Sequence, residues 1–349
     1  MANKTKVEIK DLYKIFGKNP KAMVDHVAGG MSKPELLEKH GHVIGLNNIN
    51  LKIKEKGIQV IMGLSGSGKS TLIRHINRLI EPTAGQMIVD GVDVLAMNDD
   101  ELRDFRRYQA SMVFQKFALM PHRTVLQNVR YGLEIQGVKD PEAADRAQHW
   151  LERVGLKGFE EHFPAQLSGG MQQRVGLARG LATDADILLM DEAFSALDPL
   201  IRTDMQNILL DLQKELHKTI IFITHDLDEA LRIGDHIAIL RDGKMVQADN
   251  PQHIILNPAD DYVTDFIQDI NRARVLQVGT VMDTKKKPKS GPQIEHDTVM
   301  EDALQMLTGA AKTARVMKGG KVAGSITLDQ MVKSIHRPQK EKERNPEYR

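Results

Sequence analysis

Lys69 and Ser70 stand at the end of the glycine-rich segment Gly63-Leu-Ser-Gly-Ser-Gly-Lys-Ser-Thr71. The phosphate-loop pattern G-x-x-x-x-G-K-[ST] is met at Gly63, Gly68, Lys69 and Ser70. Glycines let a backbone approach phosphate and adopt conformations closed to other residues. The N–H groups of Ser65, Gly66, Ser67, Gly68 and Thr71 can then gather around one anion, at the positive end of a helix dipole. In such a loop the Lys69 ammonium reaches the β- and γ-phosphates and the Ser70 hydroxyl ligates Mg²⁺. The chemistry is that of a nucleotide site.

A loop of this kind needs a strand to deliver it and a helix to leave it. Ile58-Gln-Val-Ile-Met62 is a short apolar, β-branched run that reads as a buried strand, and Leu72–Ile80 places its apolar residues at helical spacing. Asp186–Asp191 and Lys218–Thr224 are continuous apolar runs, suited to central parallel strands covered on both faces. Asp191-Glu192 closes the first of them. A carboxylate there holds Mg²⁺ through water, and the next one activates the attacking water. Ser111–Phe114 reads as a further strand, followed by Gln115. Earlier, Val7–Phe16 and Leu46–Ile53 alternate like strands around an interruption at 17–44, in which Ser32-Lys-Pro-Glu35 has the form of a capping box. Gln86–Gly91 is a short strand after a turn, and His236–Leu240 and Lys244–Gln247 flank an Asp-Gly hairpin turn. Residues 116–180 turn helical, with Arg146–Val154 clearly amphipathic. This alternation predicts an α/β protein.

Leu167-Ser-Gly-Gly-Met-Gln-Gln-Arg174 resembles the L-S-G-G-Q signature of the ATP-binding-cassette (ABC) ATPases, with Met171 in place of the usual glutamine. A Ser-Gly-Gly turn opening a helix is a second anion site. The resemblance implies that Ser168, Gly169 and Gly170 meet the γ-phosphate of an ATP held by a second copy of the chain. Ser195-Ala-Leu-Asp198 is similar to the family's D-loop, and His225, after the strand ending at Thr224, to its γ-phosphate-sensing histidine. Gln115 fits the Q-loop that sees Mg²⁺ and the attacking water. Phe16 sits where the family places the aromatic that stacks on adenine, with Tyr13 the other candidate. The implied fold is a P-loop NTPase core with a helical subdomain at about 116–180, the whole spanning 1–270. Asp191, Ser70 and Gln115 would serve the metal, and Glu192 would be the base.

The 17–44 interruption and the segments Arg78-Leu-Ile-Glu-Pro-Thr, Phe117–His122 and Met190–Arg202 narrow the likeness to ATPase subunits of glycine betaine/proline-type importers. That implies a membrane permease, a solute-binding protein, a homodimer of ATPase subunits and a cytoplasmic, membrane-peripheral place. The other reading is a soluble ABC ATPase acting on nucleic acid or ribosomes. Such proteins typically carry two cassettes, long coiled coils or zinc-binding cysteines, none of which is visible here.

Bulk numbers agree. Lys and Arg total 48 against 47 acidic residues in 349, so net charge points to no nucleic-acid partner. No apolar run reaches the ~18–20 residues that cross a bilayer, and the N-terminus has no secretory pattern. Cysteine is absent, which excludes disulfides and thiolate metal sites. Near 277 the composition shifts. Thr284–Pro292 is rich in Lys and Pro and reads as a linker, and 337–349 as disordered. Between them, Asp297–Leu307 reads as a helix with an acidic N-cap. Ala314–Met317 and Val322–Ile326 read as strands about a Gly-Gly turn, and Leu328–Ile335 as a closing helix. That order at 277–336 resembles one cystathionine-β-synthase-type (CBS) motif, which in related importers forms a regulatory tail and pairs with another.

Overall fold

A computed structural model describes residues 4–307 and 312–336; the expectation for 337–349 lies outside them. The chain divides into two compact units, 1–250 and 251–349.

Among the described residues of the first unit the strands are β1 (Thr5–Phe16), β2 (Val43–Lys54), β3 (Ile58–Met62), β4 (Ala84–Val89), β5 (Val92–Asp93), β6 (Ala110–Val113), β7 (Ile187–Asp191), β8 (Thr219–Thr224), β9 (His236–Arg241) and β10 (Lys244–Asp249). They form two sheets, ordered β2-β1-β4-β5 and β10-β9-β3-β8-β7-β6. The second is parallel except for β10, which returns antiparallel to β9 through the Asp242-Gly243 turn. Every residue of β3, β7 and β8 is buried, which is why those runs are apolar without alternation. The first sheet alternates, and its inward residues Val7, Ile9, Ile49 and Met87 join Ile61, Leu72, Ile221 and Ile223 in one core.

The register of the parallel sheet places functional positions together. Asp191 lies opposite Ile223, Met62 opposite Thr224 and Val113 opposite Met190. The chain therefore leaves β3, β6, β7 and β8 at the same edge, the carboxyl ends where ligands bind in open α/β sheets. The helical part of the unit is built from Val125–Gln136, Glu142–Arg153 and Gly169–Ala182.

The interruption between β1 and β2 has a small core of its own, Ile15, Val27, Leu36 and Ile44. Its helix Lys33–His40 starts with the expected capping box: Ser32 accepts from Glu35 N, and the Glu35 carboxylate accepts from Ser32 N at 3.0 Å. His42 ties the ends, its ring nitrogens 2.6 Å from His40 O and 2.7 Å from Lys18 O.

The second unit carries β11 (Gln293–Glu295), parallel to β12 (Thr313–Lys318), which pairs antiparallel with β13 (Lys321–Thr327) across Gly319-Gly320. Helices Met300–Met306 and Leu328–Ile335 follow β11 and β13. Two expectations shift here. The helix begins at Met300 after Val299, not at an Asp297 cap, because Met300 N is bound to Leu276 O. The Lys/Pro run is an internal loop, not a linker between domains. Val278 N bonds Thr298 O, and Asp283 exchanges both backbone bonds with Ser325, so residues on both sides of the run belong to the same unit. Gln252 extends the unit further back, bonding Val275 O at 2.8 Å and Gln277 N at 2.9 Å. The division by packing thus falls at Asn250/Pro251, ahead of the composition shift near 277.

Candidate functional site

The loop between β3 and the helix Lys69–Ile76 is shaped by backbone contact. Gly63 has φ 149°, and a Cβ there would lie 2.2 Å from Leu240 O; one on Gly68, φ 104°, would lie 2.6 Å from Gly45 O. The β9–β10 turn braces the loop from behind: Gly243 N donates to Ser67 O at 3.0 Å, and Asn47 N to Gly243 O at 2.8 Å. Phe16, Lys33, Val43–Gly45, Ser65, Gly66, Gly68–Thr71 and Glu192 line a cavity of about 300 Å³. Clefts of about 510 and 540 Å³ lie beside the segment 92–109, but neither holds the glycine loop or the strand-end acids.

Lys69 is 4% exposed and its ammonium donates to Gly63 O at 2.8 Å and Leu64 O at 3.1 Å. Burial pushes its pKa down, opposed by the Glu192 and Asp191 carboxylates, with Glu192 Oε1 3.7 Å away. The Ser67 hydroxyl is buried without a partner. A buried cation, an unpaired hydroxyl and a backbone cradle too tight for Cβ atoms fit a polyphosphate. Ser70 Oγ donates to Asp191 Oδ1 at 2.7 Å, so a hydroxyl and a carboxylate, both hard oxygen donors, meet beside the loop. That donor set suits Mg²⁺.

The other strand ends converge on Glu192, which takes φ 46°, an uncommon conformation for a residue with a side chain. Gln115 Nε2 donates to Glu192 Oε2 at 3.1 Å, and His225 Nδ1 lies 3.6 Å from the same oxygen. A carboxylate, an amide and an imidazole at the mouth of a phosphate cradle can orient a water and take its proton. Phe16 is 43% exposed in the cavity wall, with Lys14 Nζ 5.0 Å from its ring centroid.

Ser168, Gly169, Gly170 and Asp198 are not among the residues that line this cavity. Ser168 caps the helix Gly169–Ala182, accepting from Met171 N at 3.3 Å, and is exposed. Asp198 caps Pro199–Leu216 through Ile201 N at 3.1 Å.

Residues 46–195 match the family model described as "ABC transporter". The chain is 49% identical over 97% of its length to the glycine betaine transport ATP-binding protein OpuAA of Bacillus subtilis, covering 74% of that protein. It is 46% identical to the glycine betaine/proline betaine transport system ATP-binding protein ProV of Escherichia coli, over 96% of this chain and 84% of that one. The chain belongs to the ATP-binding subunits of ABC transporters. A solved dimeric structure of the ATP-binding cassette MJ0796 bound to ADP and Pi is similar too, with a TM-score of 0.60 at 34% identity. That likeness covers 70% of this chain and 98% of the other.

As an ABC ATP-binding subunit the chain hydrolyses ATP, and three contacts in its site were not visible beforehand. Arg74 donates to Asp191 Oδ2 at 3.0 Å and holds that carboxylate from the side away from Ser70. Ser195 Oγ accepts from Gln115 at 3.3 Å and bonds Glu192 O at 2.9 Å. Lys33 enters from the interruption. Arg74, one turn after Ser70 on the same helix, is the one with a readable spacing; the other two depend on how loops fold back.

Proposed function

We propose that two copies of this chain use Mg²⁺ and ATP to drive a membrane permease importing a betaine-type quaternary amine. The observation that carries the mechanism is the gathering of Gln115, Glu192 and His225 at the mouth of the Lys69–Ser70 loop. Bound Mg²⁺ would neutralise charge on the phosphates, with Ser70, Asp191 and Gln115 as its protein ligands. Lys69 holds the β- and γ-phosphates, Phe16 stacks on adenine, and Glu192 accepts a proton from water that Gln115 and His225 orient.

Ser168–Gly170 and Asp198 complete the site from the partner copy, covering the phosphates and excluding water. ATP drives transport because it binds the closed pair better than the open one. A separate permease supplies the pathway and this subunit works at its inner face; among the described residues no helix is long and apolar enough to cross a membrane. The solute class rests on relatives of 46–53% identity named for glycine betaine transport. Relatives named for trimethylamine N-oxide and choline transport are 43% and 38% identical. Co-purified with permease and solute receptor, the subunit should show ATPase activity stimulated by glycine betaine or a close analogue. Stimulation by none of betaine, proline betaine, carnitine, choline or trimethylamine N-oxide would reject the solute class.

The β11–helix–β12–β13–helix order of the second unit supports reading it as a single CBS-type motif that regulates transport by pairing with its copy. Leu328 and Val332 leave apolar surface on the closing helix, 37% and 42% exposed. With no native cysteine, one Cys introduced at such a position should cross-link tail to tail. If several edge positions fail while a Cys beside Ser168 cross-links to the partner's loop, the tails do not pair.

A further inference from the structure

Lys33 is placed oddly for a residue that serves only its own helix. It is the first residue of Lys33–His40, where the helix dipole disfavours a cation and where Glu35 supplies the usual acid. Two anchors fix that helix start: the Ser32–Glu35 capping box, and Leu36, fully buried against the small core of the interruption. The side chain is only partly exposed and reaches over the glycine loop, its ammonium 3.4 Å from Gly66 O. That is a long, neutral contact, and it leaves donors of the ammonium for another acceptor.

The same cavity wall holds Lys69, whose ammonium lies beneath the loop on Gly63 O and Leu64 O. The two ammonium groups thus hold different carbonyls of one loop, Lys33 that of Gly66 and Lys69 those of Gly63 and Leu64, and both line the same cavity. A nucleoside triphosphate carries more negative charge than Lys69, the helix dipole and a bound Mg²⁺ would together offset. A second ammonium at the rim supplies the difference without the desolvation that Lys69 suffers.

We propose that Lys33 is a second phosphate-binding cation, delivered to the nucleotide by the segment inserted between β1 and β2. It rests on the nucleotide reading of the cavity. Lys33 holds the polyphosphate from the inserted segment while Lys69 holds it from the loop's own helix, and the weight of Lys33 grows with the charge of the nucleotide.

The test is competition of ATP, ADP and adenosine against a fluorescent nucleotide on the purified subunit, at several salt concentrations. Lys33→Gln should weaken ATP on the order of five-fold, as for a partly exposed charge pair. ADP should weaken less, adenosine should not change, and the salt dependence of ATP binding should become shallower. Lys33→Arg should restore ATP affinity, which a packing role of the lysine stem would not require. Unchanged ATP affinity in Lys33→Gln, or an equal loss for adenosine, would overturn the assignment. Failure of the wild-type subunit to bind ATP, or indifference of ATP binding to Lys69→Ala, would instead overturn the nucleotide reading itself.

Discussion

The helices Lys69–Ile76 and Gly169–Ala182 both begin at glycine-rich turns with free N–H groups, yet the chain treats the two starts differently. The first is closed in: Gly63 and Gly68 are walled by Leu240 O and Gly45 O, Ser67 is buried, and Lys69 lies beneath the loop. The second is open. Ser168 is exposed, and what crowds Gly170 is a side chain, the Cγ2 methyl of Ile201, 2.6 Å from where a Cβ would stand. One anion site is finished by its own chain and can hold a ligand first; the other has a donor set and no enclosure. A start of the second kind gains a dry environment only when another surface covers it. Under the proposed two-copy mechanism, the first start would serve binding and the second hydrolysis.

Four tests, one of them a pair of substitutions, break or sharpen this contrast. Glu192→Gln keeps the phosphate cradle and removes the base, so ATP should still bind while hydrolysis falls about 10²–10⁴-fold; near-normal turnover would take Glu192 out of that role. Ser168→Arg fills the open start. ATPase activity should fall on the order of 10²-fold with nucleotide affinity of the isolated chain almost unchanged. A large loss of that affinity in equilibrium binding would mean that Ser168 serves its own chain's nucleotide.

Alanine in the two glycine turns separates them by stability. Gly63→Ala meets a backbone carbonyl at positive φ, for a loss of about 4 kcal/mol in denaturant unfolding together with ATP binding. Gly170→Ala meets the β-branched side chain of Ile201 rather than backbone, in a helical conformation, and should cost less, about 1–3 kcal/mol.

The fourth test concerns His75, beneath the closed start. Its Nδ1 lies 2.5 Å from Thr71 O, its Nε2 is buried without a partner, and burial lowers its pKa to about 4, with Lys14 adding to the effect. The unfolded chain takes up this proton near pH 6.5 and the folded chain only near 4. The stability contribution is thus whole above pH 6.5 and drains as pH falls toward 4, by no more than about 3 kcal/mol. His75→Gln should flatten unfolding free energy across that window; an unchanged slope would show that other groups set it.

Residues at strand ends were legible in the sequence because apolar runs point to them. Asp191, Glu192 and His225 end or follow runs whose burial on both faces leaves few alternatives to a central strand, while Gln115 comes after the partly buried edge strand β6. Phe16 was preferred to Tyr13 only through its likeness to the family's position, since β1 alternates and either aromatic could have faced the core. The structure puts Phe16 in the cavity wall. Lys33 was invisible for another reason. It belongs to a capping box that reads correctly, but no local pattern says which way the inserted segment folds back. Composition identified 284–292 as a loop and misjudged what it joins, because unit membership is decided by Gln252 and by the Asp283–Ser325 bridge.

The backing of the phosphate loop by the β9–β10 turn bears on how this subunit can be altered. Gly68 and Gly243 both meet the backbone of Gly45: a Cβ on Gly68 would stand 2.6 Å and one on Gly243 2.9 Å from Gly45 O, while one on Gly45 would stand 2.7 Å from the Phe16 ring. Three segments distant in sequence therefore share one steric allowance, and a substitution in any of them must be matched in the others. A library built to change nucleotide preference would lose most of its members there. Lys33 and Val43 face the same cavity from outside that stack, so randomising those two is the shorter path to a subunit that runs on a different nucleotide.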